Sequence, residues 1–471
     1  MKYEHPTHEV VSKAPHIRFP AVVAPGDSQL MAMLYQLDRT QWMTPQELAD
    51  RQFAQLHEVL VHASRTCPYY ERVLREAGWS PGDALTPDSW RDIPLLHRAV
   101  AQSENANLIS RNPPTAHGRP TESRTSGSTG TPVRYLTTAP TQMMWNAITV
   151  RFHLWQRQDF SKKLCAIRAG QGPVVKGAKH ANSWGAPISR LFASGPAALL
   201  DCRNDIAELV SGVAAEEPVY LLGLPTTIDE MARHCLEKGM TLPGLRQVCT
   251  YAETLRPETR AVIREAWGAG VADMYSAQEM GYLALQCPDS EGYHVQSENV
   301  LLEVLDDEDR PCGPGQTGRV VITALHNFAM PLIRYELSDI VEVGGPCSCG
   351  RGLPVIRGIR GRLRNLATLP DGRRIWPPFY AADWSHLVPA RQIQIVQKTV
   401  QQMEVRLVMD RDVTEEEKRR FAAKMREAMG YDFDFTFRCQ RERIVHPNGK
   451  LEAFVSEITP WSHARTPQQT T

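Results

Sequence analysis

Short apolar runs alternate with segments of helical periodicity through the middle of the chain, and this alternation limits the fold more than any other feature of the sequence. Residues 218–222, 248–252 and 271–275 are predicted strands, and helices are predicted between them over residues 228–238 and 257–267. Strands that alternate with helices in this order pair in parallel, because each helix carries the chain back across a face of the sheet. The predicted class is therefore α/β, with mainly parallel sheets flanked by helices.

The chain is predicted to hold more than one domain, since 471 residues exceed the size at which a single hydrophobic core stops growing. Residues 1–45 contain scattered prolines and are predicted to form an extended N-terminal segment. We expect a large domain over residues 46–361, with a β-rich part from residue 295 onwards. A small, mobile α+β domain is expected over residues 362–459, followed by a disordered tail at 460–471.

Two capping boxes predict where helices begin. Thr44 stands three residues before Glu47, and Thr414 stands three residues before Glu417. In each pair the hydroxyl and the carboxylate can satisfy backbone N–H groups at the start of a helix. Gly430 is expected to end the second of these helices.

Composition excludes several classes of function. The 53 Lys and Arg residues equal the 53 Asp and Glu residues, so the chain has no net field that would attract nucleic acid or an anionic membrane. The first twenty residues hold no apolar stretch of signal-peptide length, and no part of the sequence approaches a membrane span. We therefore expect a cytoplasmic protein, in which the ten cysteines are thiols or metal ligands rather than disulfides.

A loop rich in Ser, Thr and Gly follows Pro120. Its two glycines allow a tight turn and a close approach to a ligand, and its hydroxyls join the backbone N–H groups as donors to an anion. It lacks the lysine of a Walker A loop, and Ser128 lacks the glycine two positions earlier that a hydrolase elbow requires. A polar surface loop is the alternative interpretation. The residues predicted to bind an anion are Ser126, Gly127, Ser128, Thr129, Gly130 and Thr131.

This loop resembles the phosphate loop of the adenylate-forming superfamily, whose members activate a carboxylic acid with ATP. The spacing of Tyr275 and Glu279 resembles the fifth core motif, which implies that Tyr275 flanks the adenine and that Glu279 binds Mg²⁺. A hard cation held by a carboxylate offsets the repulsion between the phosphates and the incoming acid. Residues 250–254 resemble the strand end that lies along adenine and ribose, which implicates Ala252 and Glu253. The alternative for Tyr275 and Glu279 is a core tyrosine and a surface acid.

Three further positions extend the resemblance. Asp339 ends a Y-x-x-x-D segment whose carboxylate would accept hydrogen bonds from the two ribose hydroxyls, unless it only caps a turn. Arg362 stands at the expected joint between domains, and the resemblance implies that this basic residue reaches ATP. Lys450 lies on a Pro/Gly turn that resembles the C-terminal lysine loop, and its ammonium would stabilise charge on the phosphorus oxygens; a solvated lysine is the alternative. The chain departs from the pattern at Arg364 and Asn365, where related enzymes carry acidic residues.

Cys287, His294, Cys347 and Cys349 form a second candidate site. Three thiols and one imidazole suit a closed tetrahedral zinc site. Since none of the expected chemistry requires this metal, Zn²⁺ is predicted to be structural. Ordinary reduced cysteines are the alternative.

In combination the motifs resemble the phenylacetate–CoA ligase-like branch of the superfamily over about residues 46–455. Residues 55–70, 92–96 and 347–351 add to this resemblance. It implies that an acid attacks the α-phosphate of Mg·ATP, giving an acyl-adenylate and pyrophosphate, and that coenzyme A then takes the acyl group. An aryl or arylacetic acid is the expected substrate, and a homodimer is expected by analogy.

Two alternative functions remain open from the sequence. The acyl group could pass to an amine or a carrier-protein thiol in natural-product or polysaccharide biosynthesis, because the joint between the domains is altered. The chain could also be a catalytically inert, zinc-stapled binding or scaffold protein that retains the fold. Neither nucleic acid nor a membrane is an expected partner.

Overall fold

The structure is a computed structural model that describes residues 8–125, 133–170, 172–362, 365–375, 387–444, 451 and 453–458. The chain divides into two units between Arg360 and Gly361. None of the described helices is both long enough and apolar enough to cross a membrane.

One long sheet runs through the first unit. The described strands that begin in this unit are β1 Thr121–Arg124, β2 Arg134–Thr137, β3 Leu164–Arg168, β4 Lys179–Ala181, β5 Ala197–Asp201, β6 Tyr220–Gly223, β7 Gln247–Tyr251, β8 Gly270–Ala277, β9 Gly281–Gln286, β10 Tyr293–Val295, β11 Val300–Leu305, β12 Thr317–Ala324, β13 Tyr335–Val343 and β14 Val355–Arg362. Twelve of them form a sheet in the order β11-β12-β13-β14-β10-β9-β8-β7-β6-β3-β5-β4, and β1 pairs separately with β2.

Pairing changes direction along this sheet. Strands β5, β3, β6, β7 and β8 pair in parallel, as the alternation of strands and helices predicted. From β8 onwards β9, β10 and the later strands continue the same sheet in antiparallel pairs. The predicted β-rich part is thus an extension of the parallel half, and the α/β class is confirmed.

Helices cover both faces of the parallel half, with α1 and α6 on one face and α8, α9 and α10 on the other. The described helices of this unit are α1 Pro25–Thr40, α2 Pro45–Thr66, α3 Pro68–Glu76, α4 Pro87–Arg91, α5 Arg98–Ser103, α6 Ala139–Trp155, α7 Ile188–Leu191, α8 Ile206–Glu216, α9 Pro225–Lys238 and α10 Pro257–Trp267. Alternation along β3 explains the two layers, because successive side chains of a strand point to opposite faces. Leu164 packs in the core that α1 and α6 cover, and Ile167 packs in the core that α8, α9 and α10 cover.

The predicted extended segment at residues 1–45 is wrong for Pro25–Thr40, which form α1. Pro25 lies in the first turn, where the missing N–H of proline costs no hydrogen bond. Leu30 and Leu37 are seven residues apart, share one side of the helix and are buried. A proline in this segment therefore begins a helix.

The predicted start of α2 is confirmed. Thr44 accepts a hydrogen bond from the Glu47 backbone N–H at 3.3 Å, and its own N–H donates to the Glu47 carboxylate at 2.8 Å. The two residues therefore form the capping box that the sequence predicted.

The second unit is a small α+β body. Its described elements are β15 Ala367–Thr368, β16 Arg374–Ile375, β17 Gln392–Gln397, β18 Gln402–Val408, α11 Glu415–Met429, β19 Asp434–Gln440 and β20 Phe454–Ser456. Four strands form a sheet in the order β19-β18-β17-β20, and α11 contributes Phe421 and Met425 to the core beside it. Helix α11 begins after Thr414 and ends at Gly430, which adopts φ 64°, as predicted.

Candidate active site

Tyr275 and Asp339 are 64 residues apart in the sequence and meet through a hydrogen bond. The Tyr275 hydroxyl donates to Oδ2 of Asp339 at 2.7 Å, and both residues are buried. Tyr275 belongs to β8 and Asp339 to β13. The bond therefore holds the Asp339 carboxylate in one orientation, and the structure brings together two residues that the motifs singled out separately.

Glu279 lies half-buried in the turn between β8 and β9. Burial raises the pKa of Tyr135, and the negative charge of Glu279 raises it further. The same two causes raise the pKa of Tyr335. Tyr135 belongs to β2, which follows the predicted phosphate loop, and Tyr335 begins β13. Glu279 therefore lies near both strands, a position that suits a carboxylate ligand of Mg²⁺.

Arg98 is a site residue that the motifs did not identify. Its guanidinium donates to the Tyr335 hydroxyl at 3.3 Å and to the Thr125 hydroxyl at 3.4 Å. Thr125 also accepts from the Val133 N–H at 2.9 Å, so Arg98 lies at the base of the predicted phosphate loop. The available signal was its position, two residues after the segment 92–96 that resembles the ligase branch.

Ala252 and Glu253 lie directly after β7, at the carboxyl end of the parallel half. Tyr251 pairs with Met274, so Ala252 follows beside Tyr275. Ala252 has φ 68°, an uncommon conformation for a residue with a side chain. The Glu253 carboxylate accepts from the N–H and the hydroxyl of Thr226, at 3.1 and 2.8 Å, and so caps the start of α9. The observed contact of Glu253 therefore stabilises the start of α9.

The remaining residues that the motifs singled out lie near residue 361 or outside the described ranges. Arg362 is the last residue of β14. Asn365, at the altered joint, donates from its side-chain amide to the Phe454 carbonyl. The predicted residues outside the described ranges are Ser126, Gly127, Ser128, Thr129, Gly130, Thr131, Arg364 and Lys450.

A cavity of about 460 Å³ opens beside Glu279. This volume falls within the range of small-molecule pockets. The wall combines the turn after β8 with β1, β2 and the first half of α6. Among the described residues that line it are Thr141, Trp145, Gln278, Glu279, Asn299 and His326.

The four predicted metal ligands lie together, and one ligand atom from each falls within 4.8 Å of the others. The Sγ atoms of Cys287 and Cys347 are 3.8 Å apart, and Sγ of Cys349 is 3.2 Å from Nε2 of His294. Two Zn–S bonds of about 2.3 Å at a tetrahedral angle place their sulfurs about 3.8 Å apart. Burial lowers the pKa of His294 to about 4, so its imidazole is neutral near pH 7 and able to bind a metal. These residues could hold Zn²⁺.

The chain after these cysteines is joined to the connection between α1 and α2. The Arg351 guanidinium lies 5.0 Å from the centre of the Trp42 ring and donates to the Gln41 side chain at 2.8 Å. The Gly352 N–H donates to the Gln41 carbonyl at 3.0 Å. A Cβ at Gly352 would collide with the carbonyl oxygen of Met43, so only glycine fits there. The segment that follows the candidate metal ligands therefore packs against the connection between α1 and α2.

Asp273 lies in the core of the sheet, two residues before Tyr275. Its carboxylate accepts from the Thr250 hydroxyl at 2.6 Å and from the Tyr293 hydroxyl at 2.8 Å. Burial raises the pKa of Asp273 to about 6, although these hydrogen bonds oppose the shift. The strand that carries Tyr275 therefore also carries a buried acid with a pKa of about 6.

Comparisons with known proteins show what the chain is similar to. Residues 123–329 match the model of the AMP-binding enzyme family. The chain is 23% identical over 363 residues to a phenylacetate–coenzyme A ligase from Thermus thermophilus, and the match covers 73% of this chain and 76% of that protein.

Solved structures share the fold. A 2-hydroxyisobutyryl-CoA ligase in the postadenylation state, in complex with 2-HIB-AMP, matches with a TM-score of 0.69 and 19% identity over 89% of this chain and 92% of that one. The same ligase with 2-HIB-AMP and CoA in the thioesterification state matches with a TM-score of 0.58 and 20% identity, over 89% and 91%. An anthranilate CoA ligase in complex with anthranoyl-AMP matches with a TM-score of 0.51 and 15% identity, over 70% and 64%.

We expect Asp273→Asn to change the pH dependence of stability. Folding raises the carboxyl pKa from 3.8 to about 6, so the folded state binds more protons than the unfolded state between these values. The contribution of Asp273 to the free energy of unfolding is therefore largest below pH 4 and is lost as the pH rises through 6. Asparagine does not ionise, so the melting temperature of the variant relative to the wild type should rise from pH 4.5 to pH 7. Asp307→Asn, in the exposed turn after β11, is the control, and a difference that stays constant with pH would contradict the prediction.

Proposed function

We propose that this chain is an adenylate-forming enzyme, which activates a carboxylic acid with ATP and then transfers the acyl group to coenzyme A; its similarity to the AMP-binding enzyme family and to a phenylacetate–coenzyme A ligase supports this proposal. The convergence of Tyr275, Asp339 and Glu279 at one end of β8 carries the proposal. An aryl or arylacetic acid is the proposed substrate class, in line with the similarity to a protein named as a phenylacetate–coenzyme A ligase.

In the first half-reaction a carboxylate oxygen of the acid attacks the α-phosphorus of ATP, and the bond to the β,γ-phosphates breaks. Pyrophosphate leaves, and the acid becomes a mixed anhydride with AMP. Asp339, oriented by the Tyr275 hydroxyl, would accept hydrogen bonds from the ribose hydroxyls. Glu279 would hold Mg²⁺, which supplies positive charge to the phosphates. Arg98 adds a second cation at the base of the loop.

In the second half-reaction the thiolate of coenzyme A attacks the acyl carbon, and AMP leaves with the electron pair of the broken C–O bond. Activation as the anhydride makes this possible, because AMP is a far better leaving group than the oxygen of a free carboxylate. The chain thus has to bind one nucleotide and one acid side by side, and the cavity beside Glu279 has room for the acid.

Pyrophosphate release with a panel of acids, with and without coenzyme A, tests the proposal. We expect acid-dependent pyrophosphate and AMP, together with an acyl-CoA thioester when coenzyme A is present. If AMP forms with coenzyme A but no thioester appears, the acceptor is an amine or a carrier-protein thiol. No acid-dependent pyrophosphate from any acid would contradict adenylation and favour the scaffold interpretation.

Lys450→Ala is expected to slow adenylate formation by about a hundredfold or more, since it removes a cation that stabilises charge in the transition state. The rate is measured as acid-dependent pyrophosphate release. Lys424→Ala is the matched control, because Lys424 lies on the exposed side of α11 and forms an ion pair with Glu427 at 2.9 Å. An unchanged rate in Lys450→Ala would show that this lysine is not catalytic.

We propose that Cys287, His294, Cys347 and Cys349 bind one structural Zn²⁺. Purified protein should contain about one zinc ion per chain, and Cys347→Ser should lower both the zinc content and the melting temperature, because bound metal stabilises only the folded state. Cys312→Ser, outside the group, is the control and should retain the metal. If wild-type protein without metal melts at the same temperature as wild-type protein that holds zinc, the assignment is overturned.

A further inference from the structure

His326 lines the cavity beside Glu279 and has hydrogen-bonding capacity that the fold does not use. It lies just after the end of β12. Its Nδ1 is shut off from solvent and has no hydrogen-bond partner among the residues the structure describes. Since His326 lines the cavity and its Nδ1 is closed off, Nε2 is the ring nitrogen that can reach a ligand there.

The imidazole of His326 is neutral. Burial lowers the pKa of His326 to about 4, and the nearby His117 lowers it further. A neutral imidazole carries one N–H, and a buried N–H without an acceptor is costlier than a buried lone pair. The proton therefore belongs on Nε2, where it can be donated into the cavity.

Other polar residues of the wall are already committed to the fold. Three of them bond through their side chains to main-chain groups, namely Thr141, Asn299 and Asn327. Gln142 donates to the side chain of Asn146 at 3.2 Å. His326, by contrast, is a half-buried wall residue whose side chain has no hydrogen-bond partner among the described residues, so it can donate to whatever fills the cavity.

An aromatic surface completes the wall. The Trp145 ring packs against Tyr282 with 4.9 Å between ring centres and 37° between the ring planes, and this contact restricts the orientation of the indole. A flat apolar group suits the face of Trp145, and an oxygen atom suits the N–H of His326.

We propose that His326 is a specificity-determining residue that donates a hydrogen bond from Nε2 to an oxygen on the body of the acid substrate. The substrate is then an aryl acid that carries a hydroxyl or another oxygen substituent. This inference rests on the proposed function, because it takes the cavity as the acid site. The rival occupant is pyrophosphate, since Arg124 also lines the cavity; a neutral histidine is a poor partner for that anion.

Stable acyl-sulfamoyl adenosines, which mimic acyl-adenylates, test the inference without turnover. The probes carry a phenylacetyl, a 3-hydroxyphenylacetyl or a 4-hydroxyphenylacetyl group, and calorimetry gives their dissociation constants. The wild type should bind at least one hydroxylated probe about tenfold more tightly than the unsubstituted one, the size of one net hydrogen bond. His326→Leu should lose this preference and keep its affinity for the unsubstituted probe within about threefold.

Two further variants sharpen the test. His326→Gln retains an N–H donor and should keep part of the preference. His180→Leu removes an exposed histidine that bonds to Glu216 at 2.8 Å, and it should bind all three probes as the wild type does.

Equal affinity of the wild type for all three probes overturns the inference and leaves the proposed function standing; this arm needs no variant to fold. A preference that survives in His326→Leu also overturns it. If His326→Leu changes inhibition by pyrophosphate and leaves the preference for the hydroxylated probes unchanged, the cavity is assigned to pyrophosphate instead. Failure of the wild type to bind any probe contradicts the adenylate site, and the proposed function fails with the inference.

Discussion

Four strand spacings separate β8 from β13 in the order of the sheet, which is about 19 Å in a flat sheet. The Tyr275 hydroxyl of β8 nevertheless bonds to the Asp339 carboxylate of β13 at 2.7 Å. The antiparallel half must therefore curl towards the end of the parallel half. The candidate site depends on this curvature, because without it the residues of the two halves would lie on separate parts of the surface.

Irregular pairing contributes to the curvature. The register of β8 against β9 shifts between Tyr275 and Ser276, and that of β12 against β13 shifts between Arg319 and Val321. An extra residue in one strand bends it and increases its twist. The first shift falls at the tyrosine that holds Asp339. The distortion and the contact that needs it therefore occur at the same residue.

Local features were predictable from the sequence, and features that depend on distant pairing were not. The capping boxes at Thr44 and Thr414 depend on residues three positions apart, and the structure has both. The four candidate metal ligands could be grouped because zinc favours thiolates and imidazoles. The continuity of the long sheet depends on the order in which distant strands pair. Arg98 and His326 had no motif to mark them, and only the fold shows what surrounds them.

The contact between Gly352 and the connection after α1 closes a loop of about 300 residues. At about 5–20 residues per second, a ribosome needs roughly 15–60 s to extend the chain from one partner to the other. During synthesis α1 can pack against α6 and α7 before the segment that follows the cysteines emerges. The contact of Gly352 with Met43 can form only after most of the first unit has been synthesised. We therefore expect it to form late in co-translational folding.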